Sequence, residues 1–351
     1  MTNNCVVRVG IIGCGYWGPN LVRTLASMKD VQVVRVSDLR QGRLDFIAQR
    51  HPDIAGSCDA MDVISDPSID AVVIATPPKT HHNLTMAALR AEKHVLIEKP
   101  LATSVEEGRR MVEMAAKSKR VLSVGHLFLY APAVTRIRSL LDQGRLGDLY
   151  YVSAVRTNVG PPNAQVDALW DLAPHDISVI LNLMKTVPQE VIAYGASFTN
   201  RDFAEAVFVT LRFGDGRLAH IHVGWLTSNK TRLMRMVCSE GEVVYDETQP
   251  VQKVQVHNPP IDNRVQAGAT DAPLGYRSGG IWCPELENCE PLRAECQDFI
   301  ESIMTGKAPL SDGEKGLSVV HVLELASKCL RNEGRSILQS LREVAGAEAM
   351  A

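Results

Sequence analysis

Val6-Val7-Arg8-Val9-Gly10-Ile11-Ile12-Gly13-Cys14-Gly15-Tyr16-Trp17-Gly18, residues 6–18, decides the fold. An apolar run of strand character breaks into three glycines spaced G-x-G-x-x-G. Leu21, Val22, Leu25 and Met28 then recur at helical spacing. Strand, glycines, helix is the order that a dinucleotide-binding turn requires. Gly13 permits the tight turn, Gly15 lets backbone approach a pyrophosphate, and Gly18 lets the helix pack closely on the strand. The N–H groups that open the helix then face the phosphates. Cys14, Tyr16 and Trp17 fill the variable positions and pack near the pyrophosphate. With 25 glycines in 351 residues the spacing alone arises by chance, so the flanking strand and helix carry the inference against an ordinary strand-to-helix turn.

Outward from this turn, strand and helix alternate. Val31–Asp38 reads as a second strand, and Arg43–Arg50 and Asp59–Ser65 as helices. Ile69–Ala75 is a nearly continuous apolar strand, followed by Thr76-Pro77-Pro78 and a helix near Thr80–Ala91. His94–Ile97 and Val121–Val124 are the last two strands, and Ser104 with Glu107 forms an S-x-x-E capping box for the helix between them. The pattern predicts a doubly wound parallel sheet over residues 1–128. After a helix near Pro132–Gln143 the grammar changes. Period-2 runs from Leu149 and from Val191 to Val256, with turns such as Gly214-Asp215-Gly216, predict a large, mostly antiparallel sheet in an α+β domain spanning 129–351. Residues 257–284 read as a long loop, Pro291–Thr305 and Asp312–Asn332 as helices, and the tail after Arg335 as a last helix.

Bulk properties exclude several classes. A net charge of −3 leaves no basic excess for neutralising nucleic acid. The eight cysteines contain no CxxC pair, which fits free thiols in a reducing cytosol. No apolar run reaches the roughly 18 residues of a membrane span. Met-Thr-Asn-Asn leads straight into a core strand, so no signal peptide is expected and the expected location is cytoplasmic.

The candidate chemical residues gather where ligands of open α/β sheets bind, at the carboxyl ends of the strands. Asp38, 20 residues past Gly18, is placed to accept from a ribose 2′-OH and to repel a 2′-phosphate, which favours NAD over NADP. The alternative for Asp38 is a helix cap, and Arg40 and Arg43 stand close enough to hold a phosphate. Thr76-Pro77 with His81, Glu98-Lys99-Pro100, and Gly125-His126 end later strands. Lys99 can stabilise an alkoxide or relay a proton, or can be a solvated lysine paired with Glu98. Further on, Trp170-Asp171-Leu172-Ala173-Pro174-His175-Asp176 opens a helix, with Pro174 suited to its first turn. Asp171 and His175, four apart, share a face, so His175 is a candidate general base; Asp171 as an N-cap is the alternative. His81-His82 and His220-x-His222 lack the further ligands a metal would need, and no metal is expected.

Taken together, Gly13-x-Gly15-x-x-Gly18, Asp38, Ala75-Thr76-Pro77 with His81, Glu98-Lys99-Pro100 and Asp171-x-x-x-His175 resemble the Gfo/Idh/MocA oxidoreductase family across most of the chain. The resemblance implies a Rossmann domain holding NAD(P) and an α+β domain whose open sheet often makes a homo-oligomer interface. It implies that Lys99, Asp171 and His175 are catalytic, lining a substrate hydroxyl, and that the bond before Pro100 is cis. Gly13, Cys14, Gly15, Tyr16, Trp17, Gly18, Asp38, Thr76, Pro77, His81, Glu98, Lys99 and His126 would contact the cofactor. Family members often carry a glycine-rich stretch where this chain has Val166-Asp167-Ala168-Leu169-Trp170. That variant resembles the branch acting on nucleotide sugars, the UDP-N-acetylglucosamine 3-dehydrogenases. The expected activity is therefore NAD-dependent oxidation of a secondary sugar hydroxyl, C3 of a UDP-sugar such as UDP-N-acetylglucosamine, to the 3-keto sugar. The alternatives are an inositol or free-sugar dehydrogenase, an NADPH-dependent keto-sugar reductase, and a non-catalytic redox sensor.

Overall fold

The fold is that of a computed structural model, which describes residues 6–160, 166–199, 203–257, 280–331 and 337–338. Two compact units divide the chain: residues 1–131 with 289–324, and residues 132–288 with 325–351.

In the first unit β1 (Val7–Ile12) runs into the glycine turn and α1 (Gly18–Ala26). Then follow β2 (Val31–Ser37), α2 (Gln41–Ala48), β3 (Ala55–Ser57), α3 (Met61–Ile64), β4 (Ala71–Ile74), α4 (His81–Arg90), β5 (His94–Glu98), α5 (Val105–Ser118) and β6 (Leu122–Gly125). The six strands are all parallel and ordered β3-β2-β1-β4-β5-β6. β4 is wholly buried, as a strand covered by helices on both faces must be. The capping box of α5 forms in a shifted version. Ser104 Oγ accepts from Glu107 N at 3.3 Å, but the Glu107 carboxylate reaches back to the N–H and hydroxyl of Thr103.

The second unit begins with α6 (Pro132–Asp142), β7 (Leu149–Val159) and α7 (Ala168–Met184). β8 (Glu190–Ala196), β9 (Ala206–Arg212), β10 (Leu218–Gly224), β11 (Leu226–Cys238), β12 (Gly241–Asp246), β13 (Val254–His257) and β14 (Ile281–Trp282) follow. With β15 (Ile337–Leu338) they make a nine-stranded sheet ordered β14-β13-β12-β11-β7-β10-β9-β8-β15. Its neighbours are antiparallel except β7 and β10, which run parallel.

Three expectations change. The division falls after residue 131, and 289–324 folds with the first unit instead of with the rest of the C-terminal half. The cause is the apolar stripe of α8 (Pro291–Thr305): Leu292, Cys296, Phe299 and Ile300 join the core that holds Ile11, Leu21, Val22 and Val36. α9 (Gly313–Arg331) then carries the chain from one unit to the other. Secondly, the short β3 was not expected, and thirdly the tail holds a two-residue strand where a helix was expected. Most of that tail and most of the 257–284 loop lie outside the described residues.

Candidate functional site

Within the first unit the glycine turn has the geometry a dinucleotide needs. Gly13 has φ +98°, and a Cβ there would stand 2.5 Å from the carbonyl oxygen of Ala75. A Cβ on Gly18 would meet the Gly13 carbonyl oxygen at 2.2 Å, so the start of α1 is packed onto the turn itself. At Gly15 nothing stands within 4 Å of the Cβ position, and the surface is open for a close-approaching group. No side-chain hydrogen bond caps the start of α1, which suits an anion at its first N–H groups. Cys14 is buried, and burial with the nearby Asp38 charge pushes its thiol up to about 11. Tyr16 is 85% exposed and Trp17 meets it edge to face at 5.8 Å.

Asp38 is anchored against this turn. Its carboxylate accepts from Cys14 N at 2.8 Å, from Arg40 N at 3.0 Å and from Arg40 Nε at 3.2 Å. Burial works against the charge, yet these hydrogen bonds hold the carboxyl below its usual range. The acid is therefore ionised and fixed beside the glycines, as a ribose acceptor must be. The residues present fit a nicotinamide dinucleotide.

The carboxyl ends of β4, β5 and β6 supply the rest of this half. Thr76 is tied to Thr80 by a 2.7 Å hydroxyl contact, and Pro77 is exposed. His81 is fully buried, its ring nitrogens facing the carbonyls of Pro100 and Thr76 at 2.8 Å each. It fixes the two loops at the strand ends, and burial holds its imidazole below its usual range. The Lys99–Pro100 bond is cis. Glu98 pairs in register with Gly125, and its carboxyl lies 3.1 Å from where a Gly125 Cβ would stand. Burial pushes Glu98 up to about 7, against the pull of the Lys99 charge. His126 is 1% exposed, and neither ring nitrogen has a hydrogen-bond partner among the described residues. Burial, with Lys99 nearby, brings it down to about 3, so it is a neutral imidazole.

Within the second unit, α7 is capped by Asp167, whose carboxylate accepts from Trp170 N at 2.9 Å. Asp171 thus lies in the first turn and is not the cap. Pro174 is inside the helix, not at its start, because the helix begins six residues earlier than the proline. Asp171 and His175 are both half-buried and one turn apart. Trp225 Nε1 donates to Asp171 Oδ2 at 3.2 Å. Next to His175, Asp176 is buried and held by Arg156 of β7, Nε at 2.8 Å and a terminal nitrogen at 3.0 Å.

Several of these partners escaped sequence reasoning. Arg156, Asp176 and Trp225 are such cases, and so is Glu295, a buried acid on the apolar stripe of α8 that lies near Glu98 and Asp298. Burial and those acids hold Glu295 well above its usual range. A carboxyl standing at i+3 from Leu292 among buried positions was the one readable signal. The histidine pairs take other roles: His82 bonds Asn83, and His222 stacks on Phe208 at 4.4 Å. No metal-ligating cluster exists among the described residues, and none of their helices is long and apolar enough to cross a membrane.

Comparison with known proteins adds to this geometry. Residues 7–126 match the GFO/IDH/MocA oxidoreductase family, NAD-binding Rossmann fold, and residues 134–244 match the GFO/IDH/MocA C-terminal domain. A solved structure from Magnetospirillum magnetotacticum, named only as an oxidoreductase, has a TM-score of 0.78 and 30% identity, covering 91% of this chain and 99% of that one. Inositol 2-dehydrogenase 2 of Saccharopolyspora erythraea is 31% identical over 62% of this chain, and the match spans 66% of that relative's length. UDP-N-acetylglucosamine 3-dehydrogenase of Acidithiobacillus ferrooxidans is 25% identical over 90% of this chain and 94% of its own length.

Proposed function

The chain belongs to the GFO/IDH/MocA oxidoreductase family, and from that premise we propose that it oxidises one secondary hydroxyl of a sugar or cyclitol ring, using NAD. The observation that carries this reading lies in the first unit. One parallel sheet presents the glycine turn with its fixed Asp38 at the end of β1 and β2, and a lysine, Lys99, at the end of β5. A dinucleotide turn alone serves many purposes; a lysine at the carboxyl end of the same sheet gives it a reaction.

When bound, the cofactor takes up hydride at nicotinamide C4. The chain's own residues do the remaining work. His175 accepts the hydroxyl proton as the carbinol C–H bond breaks, so that a ketone, NADH and a proton result. Lys99 stabilises the developing alkoxide by charge and hydrogen bonding. Asp171 orients the hydroxyl or the imidazole. Asp38 accepts from the adenosine ribose and repels a 2′-phosphate, which supports NAD over NADP.

For the substrate, the Trp170-Asp171-Leu172-Ala173-Pro174-His175-Asp176 run and the full-length similarity to a UDP-N-acetylglucosamine 3-dehydrogenase support C3 of a UDP-linked sugar. A second reading, an inositol dehydrogenase, is favoured by the 31% identity to an inositol 2-dehydrogenase. NADH formation with UDP-N-acetylglucosamine, myo-inositol and glucose separates them. Turnover of the UDP-sugar with no rate on myo-inositol is the expected result, and the reverse overturns the substrate assignment. We also propose a homo-oligomer through the open sheet. Tyr194 and Phe208 stand opposite each other in register there, 58% and 42% exposed.

A further inference from the structure

The half of α7 that bears Asp171 and His175 lacks one backbone hydrogen bond. Pro174 has no N–H to give to the carbonyl one turn before it. Side chains anchor this stretch as well. Trp170 Nε1 donates to Ser327 Oγ at 2.9 Å, and buried Arg156 grips Asp176 through two hydrogen bonds while its third nitrogen lies 3.4 Å from Glu247. Trp225 Nε1 donates to Asp171.

Trp225 touches a proposed reacting residue directly. It follows β10 and is 3% exposed. Its own N–H donates to the Glu205 carbonyl at 2.9 Å, and its carbonyl accepts from Gly160 N at 3.0 Å. Its side chain packs so tightly on Gly160 that a Cβ there would stand 2.5 Å from the indole Cγ. The backbone is thus held on both sides and the indole lies against Gly160, with its N–H pointing at one oxygen of Asp171. An indole N–H only donates, so the contact constrains a carboxylate without competing for its proton.

We propose that Trp225 is a positioning residue: it fixes the rotation of the Asp171 carboxylate on the face that Asp171 shares with His175. The inference rests on the proposed role of Asp171 in turnover. Arg156 and Asp176 fix the helix; Trp225 fixes the acid.

Trp225→Phe keeps an aromatic ring and deletes the donor. A lost hydrogen bond to a charged group lowers kcat about tenfold, with the dissociation constant for NAD unchanged. The decisive readout is a double-mutant cycle in NADH formation with NAD and whichever of UDP-N-acetylglucosamine and myo-inositol is turned over. If Trp225 acts through Asp171, adding Trp225→Phe to Asp171→Ala costs nothing more. Additive losses, or full kcat in Trp225→Phe, overturn the inference while leaving the role of Asp171 standing. Full kcat in Asp171→Ala would instead overturn the role of Asp171, and this inference with it. The contact is also readable without substrate and without a foldable Trp225 variant. The chain has four tryptophans, and in the NMR spectrum Asp171→Ala must shift the Trp225 indole N–H signal. Four unmoved indole signals overturn the contact.

Discussion

Replacing Gly13 and Gly15 by alanine, one at a time, separates the two jobs of the turn. At Gly13 the backbone has φ +98°, which an L-residue adopts at a cost of about 1–2 kcal/mol. The added methyl would also stand 2.5 Å from the Ala75 oxygen and 2.7 Å from its carbonyl carbon. Neither atom can retreat cheaply, because Ala75 N is bonded to the Ile12 carbonyl at 2.8 Å. Such overpacking costs about 1–3 kcal/mol, so Gly13→Ala loses about 2–5 kcal/mol of stability in the first unit. Gly15 has no positive φ and an empty Cβ shell. Gly15→Ala is therefore expected to keep its stability within about 0.5 kcal/mol, or to gain slightly. It closes the space proposed for a pyrophosphate, however, and a clash of about 1–3 kcal/mol raises the NAD dissociation constant about 5- to 150-fold. Urea unfolding followed by calorimetric NAD titration reads both quantities. Equal destabilisation by the two substitutions, or an unchanged NAD affinity in Gly15→Ala, would refute this division of labour.

Other perturbations have equally definite outcomes. Phe299→Ala empties a fully buried position in the core shared with β1 and α1, and should cost the first unit about 3–5 kcal/mol; faster amide exchange in β1 is the check, and unchanged exchange there contradicts the assignment of α8 to this unit. Glu98 has a folded-state value of about 7, above its ordinary 4.5, so the folded state holds the extra proton between those values. Its contribution is complete below the unfolded value and is lost as pH rises through about 7; Glu98→Gln should flatten that part of the stability profile in urea titrations from acid to neutral pH, and an unaltered profile counts against it. Asp38→Ala removes a fixed anion and releases Arg40, so kcat/KM with NADP relative to NAD should rise at least about tenfold.

The parts of this protein that were legible in its sequence are those written in consecutive residues. The glycine turn, the alternation of βα units to Val124 and the Glu98-Lys99-Pro100 strand end depend on neighbours a few positions away, and each appears where its pattern placed it. β3 was not legible because Ala55-Gly56-Ser57 is three small residues without periodicity, defined by pairing with β2. The start of α7 was misplaced because Pro174 marks first turns so often, whereas here the Asp167 cap sets the start. The fold-back of α8 onto β1 and α1, and the Trp225–Asp171 bond across 54 residues, are contacts between distant segments. No local pattern announces them.

The central claim is that Lys99 and His175 perform chemistry on a hydroxyl while the glycine turn and Asp38 hold the cofactor. Steady-state NADH formation by the parent, Lys99→Ala and His175→Ala, with NAD affinity measured in parallel, tests it most directly. Loss of a charge-stabilising lysine or of a general base should each lower kcat about 10²- to 10⁴-fold, with NAD affinity nearly unchanged. Full kcat in both variants would contradict it.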